Sequence, residues 1–395
     1  MRFAVLDSWR GVAATFVALF HLAALNHFHM IPLVANSFLF VDFFFVLSGF
    51  VITHAYGARL STPVEATGYA IRRFGRVWPL HAAVLAMFVG VEAMKLVLES
   101  VTGLRAGTPA FGEGGFTPLS AIPSHLALTQ GLGFHDGLTW NMPSWSISAE
   151  FWVYLVFAVV SVLFPARRVL VMMGLAAVSA AVIAACSKRG IYVTYDLGLL
   201  RCLAGFAAGH VAYAMRQSFE TAPWRQSARI EWLTLGGIAA FVSLAGTGPL
   251  SLTAPLVFAT AVLVFSYESG PVSRLLETPP FRRLGDWSYS IYMVHGLIAF
   301  VIGLASGVVQ KLFGVEMWRE MAIAGSEQRA LVFGGPFLLD AVALLYLGLV
   351  LLMASQTYRW IEVPARRYFA SLADAWEERS GPAGAAAIGG LGKTG

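Results

Sequence analysis

Apolar residues in this chain come in long, nearly unbroken runs. They do not follow the alternation of half-buried strands or the one-sided stripe of soluble helices. A helix needs about 20 mostly apolar residues to cross hydrocarbon. Ten such runs are read: 10–29, 36–56, 77–98, 145–164, 169–186, 197–215, 231–246, 252–267, 287–309 and 334–355. The pattern predicts an all-α fold, a polytopic membrane bundle of about ten transmembrane helices. The first run follows Arg2 and has the outline of a secretory leader. Asp7 and Arg10 interrupt its approach and it reaches spanning length, so it is expected to be retained. Residues 100–144 are rich in Gly and Pro and too long for a plain connector, which fits a lid. The segment after Ser380, GPAGAAAIGGLGKTG, is of low complexity and is expected to be disordered. The predicted organisation is a membrane domain over 1–368 and a cytoplasmic tail over 369–395.

Composition supports this reading. The 395 residues are 57% hydrophobic and 12% charged, against about 25% charge in a soluble domain. That excludes soluble, disordered and disulfide-rich classes. Cys186 and Cys202 match no metal spacing and read as inert packing residues. The net charge of +5 would point to nucleic acid in a soluble protein. Here the base marks cytoplasmic loops. With the N-terminus inside, nineteen of the 27 Lys and Arg fall on the cytoplasmic side, seven fall outside and Arg201 lies in a span. Both termini are therefore expected in the cytoplasm of a multi-pass protein of the cell (inner) membrane. Its surroundings are membrane lipid, with no nucleic-acid partner.

Ionisable residues inside spans are expensive and are functional hypotheses by default. Here they are His21, Asp42, Glu150, Arg201, His210, His295 and Asp340. Arg10 and His21 are eleven residues apart, so they share a helix face about 16 Å apart along the axis. With Arg10 at the cytoplasmic boundary, His21 falls near the midplane. A low-dielectric site favours the neutral ring, which can accept a proton. A carboxylate on its other nitrogen would fix the tautomer, and Asp42 and Glu150 are the expected partners. Ser146 and Glu150 share a face at i, i+4. Structural readings stand beside these: a satisfied core histidine, and acids that merely pair with Arg201. His81 and His210 read as structural.

Arg72, Arg73 and Arg76 lie just inside the third span. Three guanidiniums in five residues suit a phosphate clamp or simple interfacial anchoring. Bases thus gather at the cytoplasmic end and acids in the outer half, with His21 between them. That suits a phosphorylated donor from the cytoplasm and a hydroxyl acceptor from the other side. No P-loop, G-x-S-x-G elbow, H-E-x-x-H or H-x4-D pattern is present, and no metal is expected.

Several segments together resemble the acyltransferase 3 family of integral membrane proteins. LDSWRGVAATFVALFH resembles its opening segment, with Arg10 and His21 on the Arg-x10-His pattern. FFFVLSGFVI resembles its second span, RRFGR its Arg-x-x-Arg motif at Arg73 and Arg76, and WSISAEFWVYL its W-S-[LI]-x-x-E segment at Trp145, Ser146 and Glu150. LGDWSYSIYMVHG, ending at His295, and WIEVPARR follow in the family order. The resemblance covers residues 5–368. It implies ten spans and transfer of an acyl group, most often acetyl, from cytoplasmic acyl-CoA to a hydroxyl of an extracytoplasmic or lipid-linked carbohydrate, such as a polysaccharide or lipopolysaccharide.

Under that resemblance His21 is the catalytic base, grouped with Arg10, Glu150 and Asp42. Arg72, Arg73 and Arg76 hold acyl-CoA, and Trp145, Ser146 and His295 lie toward the substrate. Arg10, Trp145 and Ser146 are each able to donate to the oxyanion, and an acyl-histidine intermediate is a covalent variant. No appended SGNH-like hydrolase domain follows the last span, which leaves room for partner proteins in polysaccharide assembly. Two alternatives stand: a transporter or flippase-like protein for acylated glycans, and a membrane-bound O-acyltransferase of another family using His295 as base.

Overall fold

The computed structural model describes residues 2–103, 108–113, 115–323 and 326–380. The tail from Gly381 onward, expected to be disordered, lies outside the described residues. The ten predicted spans each coincide with a helix: α1 (Ala4–His21), α2 (Phe40–Tyr56), α3 (Pro63–Thr102), α4 (Trp145–Leu163), α5 (Arg168–Cys186), α6 (Gly198–Ser218), α7 (Ala228–Ala245), α8 (Ala254–Phe265), α9 (Pro279–Phe313) and α10 (Pro336–Thr357). Among the described residues eight helices are long and apolar enough to cross a membrane. The two others are α1, interrupted by Asp7 and Arg10, and α8, which with its preceding turn makes only the short apolar helix Pro249–Phe265.

The first predicted span is displaced. It was read over 10–29, but α1 ends at His21. The main chain beyond it bonds to a β-hairpin instead: Leu331 N–H donates to Ala23 O and Leu25 N–H to Leu331 O, both at 2.8–2.9 Å. Irregular backbone at this depth is stable only because protein satisfies it. The hairpin pairs β1 (Trp318–Ile323) with β2 (Ser326–Leu331), antiparallel from Trp318 opposite Leu331. It is the one strand pair among the described residues and a small departure from the all-α expectation.

Small residues set the helix spacing, as in other membrane bundles. A Cβ on Gly49 would lie 1.9 Å from Phe206 O and one on Gly209 1.8 Å from Val46 O, so α2 and α6 pack backbone to backbone. Helix α3 opens with a capping box, Thr62 with Glu65, and Pro63 in its first turn. Its 40 residues extend about 60 Å at 1.5 Å per residue, twice the hydrocarbon thickness. The turns carrying Arg72, Arg73 and Arg76 therefore project past the apolar stretch. A π turn over Tyr358–Glu362 joins α10 to α11 (Val363–Ser380), which packs along that projecting part of α3. The helix α11 runs across the boundary drawn at residue 368.

The described part of 108–144 is packed rather than loose. Trp140 is fully buried and donates to Pro118 O at 2.9 Å, His81 and His125 stack, and Asn141 donates to Met293 O of α9 at 3.0 Å.

Candidate functional site

Helices α1 and α9 run parallel and cross closely at Gly11 and Gly285, where a Cβ on either would meet the other's backbone below 3 Å. The crossing brings His21 and His295 together: His21 Nδ1 lies 3.3 Å from His295 Nε2, with ring centroids 4.8 Å apart. His21 Nδ1 also lies 2.8 Å from Val17 O and His295 Nδ1 3.1 Å from Ile291 O. His295 is fully buried and His21 partly so. From α10, the Tyr346 hydroxyl reaches Ala18 O at 3.0 Å and His295 O at 3.3 Å, tying both helices at this level.

Neither expected carboxylate reaches His21. Asp42 is fully buried with both oxygens on Arg201, at 3.0 and 2.7 Å. Arg201 completes its donors on Val193 O and Phe38 O, and its guanidinium lies over the Trp145 ring. Asp42 and Trp145 thus belong to a structural knot joining α2, α4 and α6. Trp145 is wedged against Gly198, where a Cβ would lie 2.7 Å from its ring, and lines no part of the arginine-bearing cavities. That packing holds Asp42 and Trp145 on Arg201 rather than on His21: a buried charge takes the nearest full partner.

Glu150 accepts from Ser48 and, at 2.6 Å, from Tyr154. It faces a cavity of about 100 Å³ whose wall includes Arg10, Arg73, Arg76, Ser146 and Tyr292. Ser146 and Glu150 share this wall, as their i, i+4 spacing predicts. Ser146 bonds Pro143 O at 2.9 Å and the Tyr292 hydroxyl at 2.7 Å. Phe44 also lines the cavity and packs on Tyr292, ring centroids 5.5 Å apart. His21 does not line it. The Tyr292 ring lies 5.6 Å from the His295 ring, so one aromatic layer separates the cavity from the histidine pair.

Toward the basic end the same Arg10, Arg73 and Arg76 also line a wider cleft of about 640 Å³, together with Arg2, Arg72, Arg366 and Arg367. The three clustered arginines part company here. Arg72 lines the cleft but is held by Asp374 and Glu377 of α11, both at 2.5 Å, which fastens α11 onto α3. Arg76 pairs with the buried Glu362, which also accepts from Ser290. Arg73 has no carboxylate partner among the described residues. It sits among the rings of Tyr56, Tyr69 and Tyr154 at 5.3–5.9 Å, and its buried Nε has no hydrogen-bond partner. Arg10 donates to Ser288 at 2.9 Å and to Asp7 at 3.2 Å. Repulsion from Arg76 pushes Arg366 down to about 10, which marks a cleft where cations outnumber anions.

Asp340 pairs with the exposed His27 at 2.7 Å, and His210 bonds Thr53 at 2.7 Å. The sequence reading missed Ser48, Tyr154, Tyr292, Tyr346, Glu362, Arg366 and Arg367. Only Tyr292, one turn before His295, and the RR of WIEVPARR carried a local signal. Among the described residues no three His, Cys, Asp or Glu gather as a metal site.

Comparison with known proteins gives the same direction. Acyltransferase MdmB of Streptomyces mycarofaciens is 27% identical over 65% of this chain and 67% of its own length. The putative membrane-bound transacylase BcsY of Komagataeibacter xylinus is 28% identical over 73% of this chain and 71% of its own. Exopolysaccharide production protein ExoZ of Rhizobium meliloti is 29% identical over 68% and 79%. No solved structure matches. A family model described as an acyltransferase domain matches residues 3–361, and the chain belongs to the acyltransferase 3 family of membrane proteins.

Proposed function

We propose that the protein transfers an acyl group, acetyl by preference, from cytoplasmic acyl-CoA to a hydroxyl of an extracytoplasmic or lipid-linked carbohydrate, with His21 as the base. The observation that carries this is the arginine-lined cleft continuing into the cavity that stops one ring short of His21 and His295. The nucleotide phosphates of the donor sit on Arg73 and Arg76, with Arg366 and Arg367 across the cleft. Free guanidiniums bind phosphate in a fixed fork, and Arg73 has no acid to give up first. The pantetheine arm lies along the wall of Ser146 and Glu150, and Phe44 and Tyr292 turn aside to admit the thioester.

His21 takes the proton of the acceptor hydroxyl, whose oxygen attacks the thioester carbonyl. The tetrahedral oxyanion collapses, and the CoA sulfur leaves with the proton that His21 returns. Arg10 lines both the cleft and the cavity, between the phosphate-binding arginines and the histidines. The basic end faces the cytoplasm, with both termini there. The name of ExoZ, an exopolysaccharide production protein, supports a polysaccharide acceptor.

The test uses washed membranes from source cells lacking the native copy and carrying each variant at matched levels. Thiol release from acetyl-CoA is measured, and cell-surface glycans are compared by mass spectrometry. His21→Ala should abolish both release and the one-acyl mass increment. Near-wild-type transfer by folded His21→Ala would overturn the mechanism, and uptake without CoA release would point to transport.

A further inference from the structure

A main-chain carbonyl only accepts hydrogen bonds. Val17 O therefore places a proton on Nδ1 of His21, and Ile291 O places one on Nδ1 of His295. The remaining nitrogen of His295, Nε2, then carries a lone pair, and it lies 3.3 Å from the protonated Nδ1 of His21. His21 Nδ1–H is thus shared between a carbonyl and an imidazole. Its own Nε2 makes no hydrogen bond and is not among the buried unpartnered atoms of this half-buried ring. We infer that His295 is a positioning residue for His21, accepting from Nδ1 so that Nε2 is the atom that takes the acceptor proton. The inference rests on the reading of His21 as the base.

This is the place where a carboxylate would sit in many catalytic histidines. A neutral acceptor does the same work at membrane depth without burying a charge. When His21 takes a proton on Nε2, its Nδ1–H bond to His295 becomes charge-assisted and strengthens. The proton later leaves from Nε2 to the CoA sulfur. His295 neither gains nor loses one, because Ile291 O holds its Nδ1–H. Tyr346 keeps the geometry by fastening the carbonyls of Ala18 and His295 to one hydroxyl.

The experiment measures thiol release against acetyl-CoA concentration in the same membranes, which hold the native acceptor. His295→Leu should lower the maximal rate about 100-fold, within the range of general-base contributions, with the apparent KM for acetyl-CoA unchanged. His295→Gln, whose amide oxygen reaches the Nε2 position, should recover most of that loss. His295→Asn, whose amide falls short, should not. A His295→Leu protein with wild-type rate overturns the proposal, as do Gln and Asn variants of equal activity. Should His295→Leu fail to fold, the Gln and Asn pair decides alone. An active His21→Ala would instead defeat the underlying reading, which separates the two failures.

Discussion

Gly11 of α1 and Gly285 of α9 meet backbone against backbone, and ten residues further along each helix His21 meets His295. A Cβ on Gly11 would lie 2.5 Å from Gly285 N, and one on Gly285 2.7 Å from Asp7 O. Because the atoms met are main chain, no side-chain rotation relieves the clash. Gly11→Val should force the helices apart, at about 1–3 kcal/mol of overpacking, and should cut transfer at least 100-fold by separating the histidines. The thermal midpoint in detergent and the acetyl-CoA assay check this. A variant with wild-type values in both would show that the crossing does not set the pair.

Arg72 and Arg73 are neighbours in the chain with opposite surroundings. Arg73→Ala should raise the apparent KM for acetyl-CoA at least tenfold and leave the thermal midpoint within about 1 °C, since no ion pair is lost. Arg72→Ala should do the reverse. Its partners Asp374 and Glu377 are partly exposed, so solvent screening keeps the loss near 1 kcal/mol. The α11 helix should become the first site of limited proteolysis. Equal kinetic effects from the two substitutions would contradict the division of labour.

The pair Asp42–Arg201 is buried on both sides. Removing one member leaves a charge without its partner, which costs about 3–5 kcal/mol. Asp42→Leu alone should therefore yield little folded protein. The double variant Asp42→Leu, Arg201→Leu should fold better than either single one and retain transfer, because neither side chain touches His21. Membrane expression followed by the thiol assay distinguishes this from a catalytic Asp42, which would leave the double variant folded and inactive.

His125, in the segment between α3 and α4, is pushed down to about 3 by burial and by His81 and His135 nearby. In the unfolded chain it protonates near 6.5. The unfolded state thus binds the extra proton first as pH falls. The stability that His125 contributes is complete above about pH 6.5 and is lost progressively toward pH 3. The thermal midpoint should drop between pH 7 and 5, and His125→Phe should flatten that slope. An identical slope in the two proteins would assign the acid sensitivity to other groups.

The sequence by itself determined the order of the apolar helices, the clustering of arginines and the shared wall of Ser146 and Glu150. These follow from local quantities: run length, charge count and 3.6-residue periodicity. It also singled out His21 and His295, which the fold brings within 3.3 Å of each other. Which partner each group takes was decided only by tertiary structure. Asp42 and Glu150 looked equally suited to His21, yet one has both oxygens on Arg201 and the other accepts from Ser48 and Tyr154 on Oε1. The choice depends on which helices touch, and glycine contacts such as Gly11 with Gly285 set that. The early end of α1 at His21 was invisible for a related reason. Leu22–Leu25 is as apolar as the helix before it, and only hydrogen bonds to Leu331, three hundred residues away in sequence, turn the chain there. Apolar pattern reports depth in the membrane. It does not report pairing, because a buried ion settles on whichever partner the packing brings within a few ångströms.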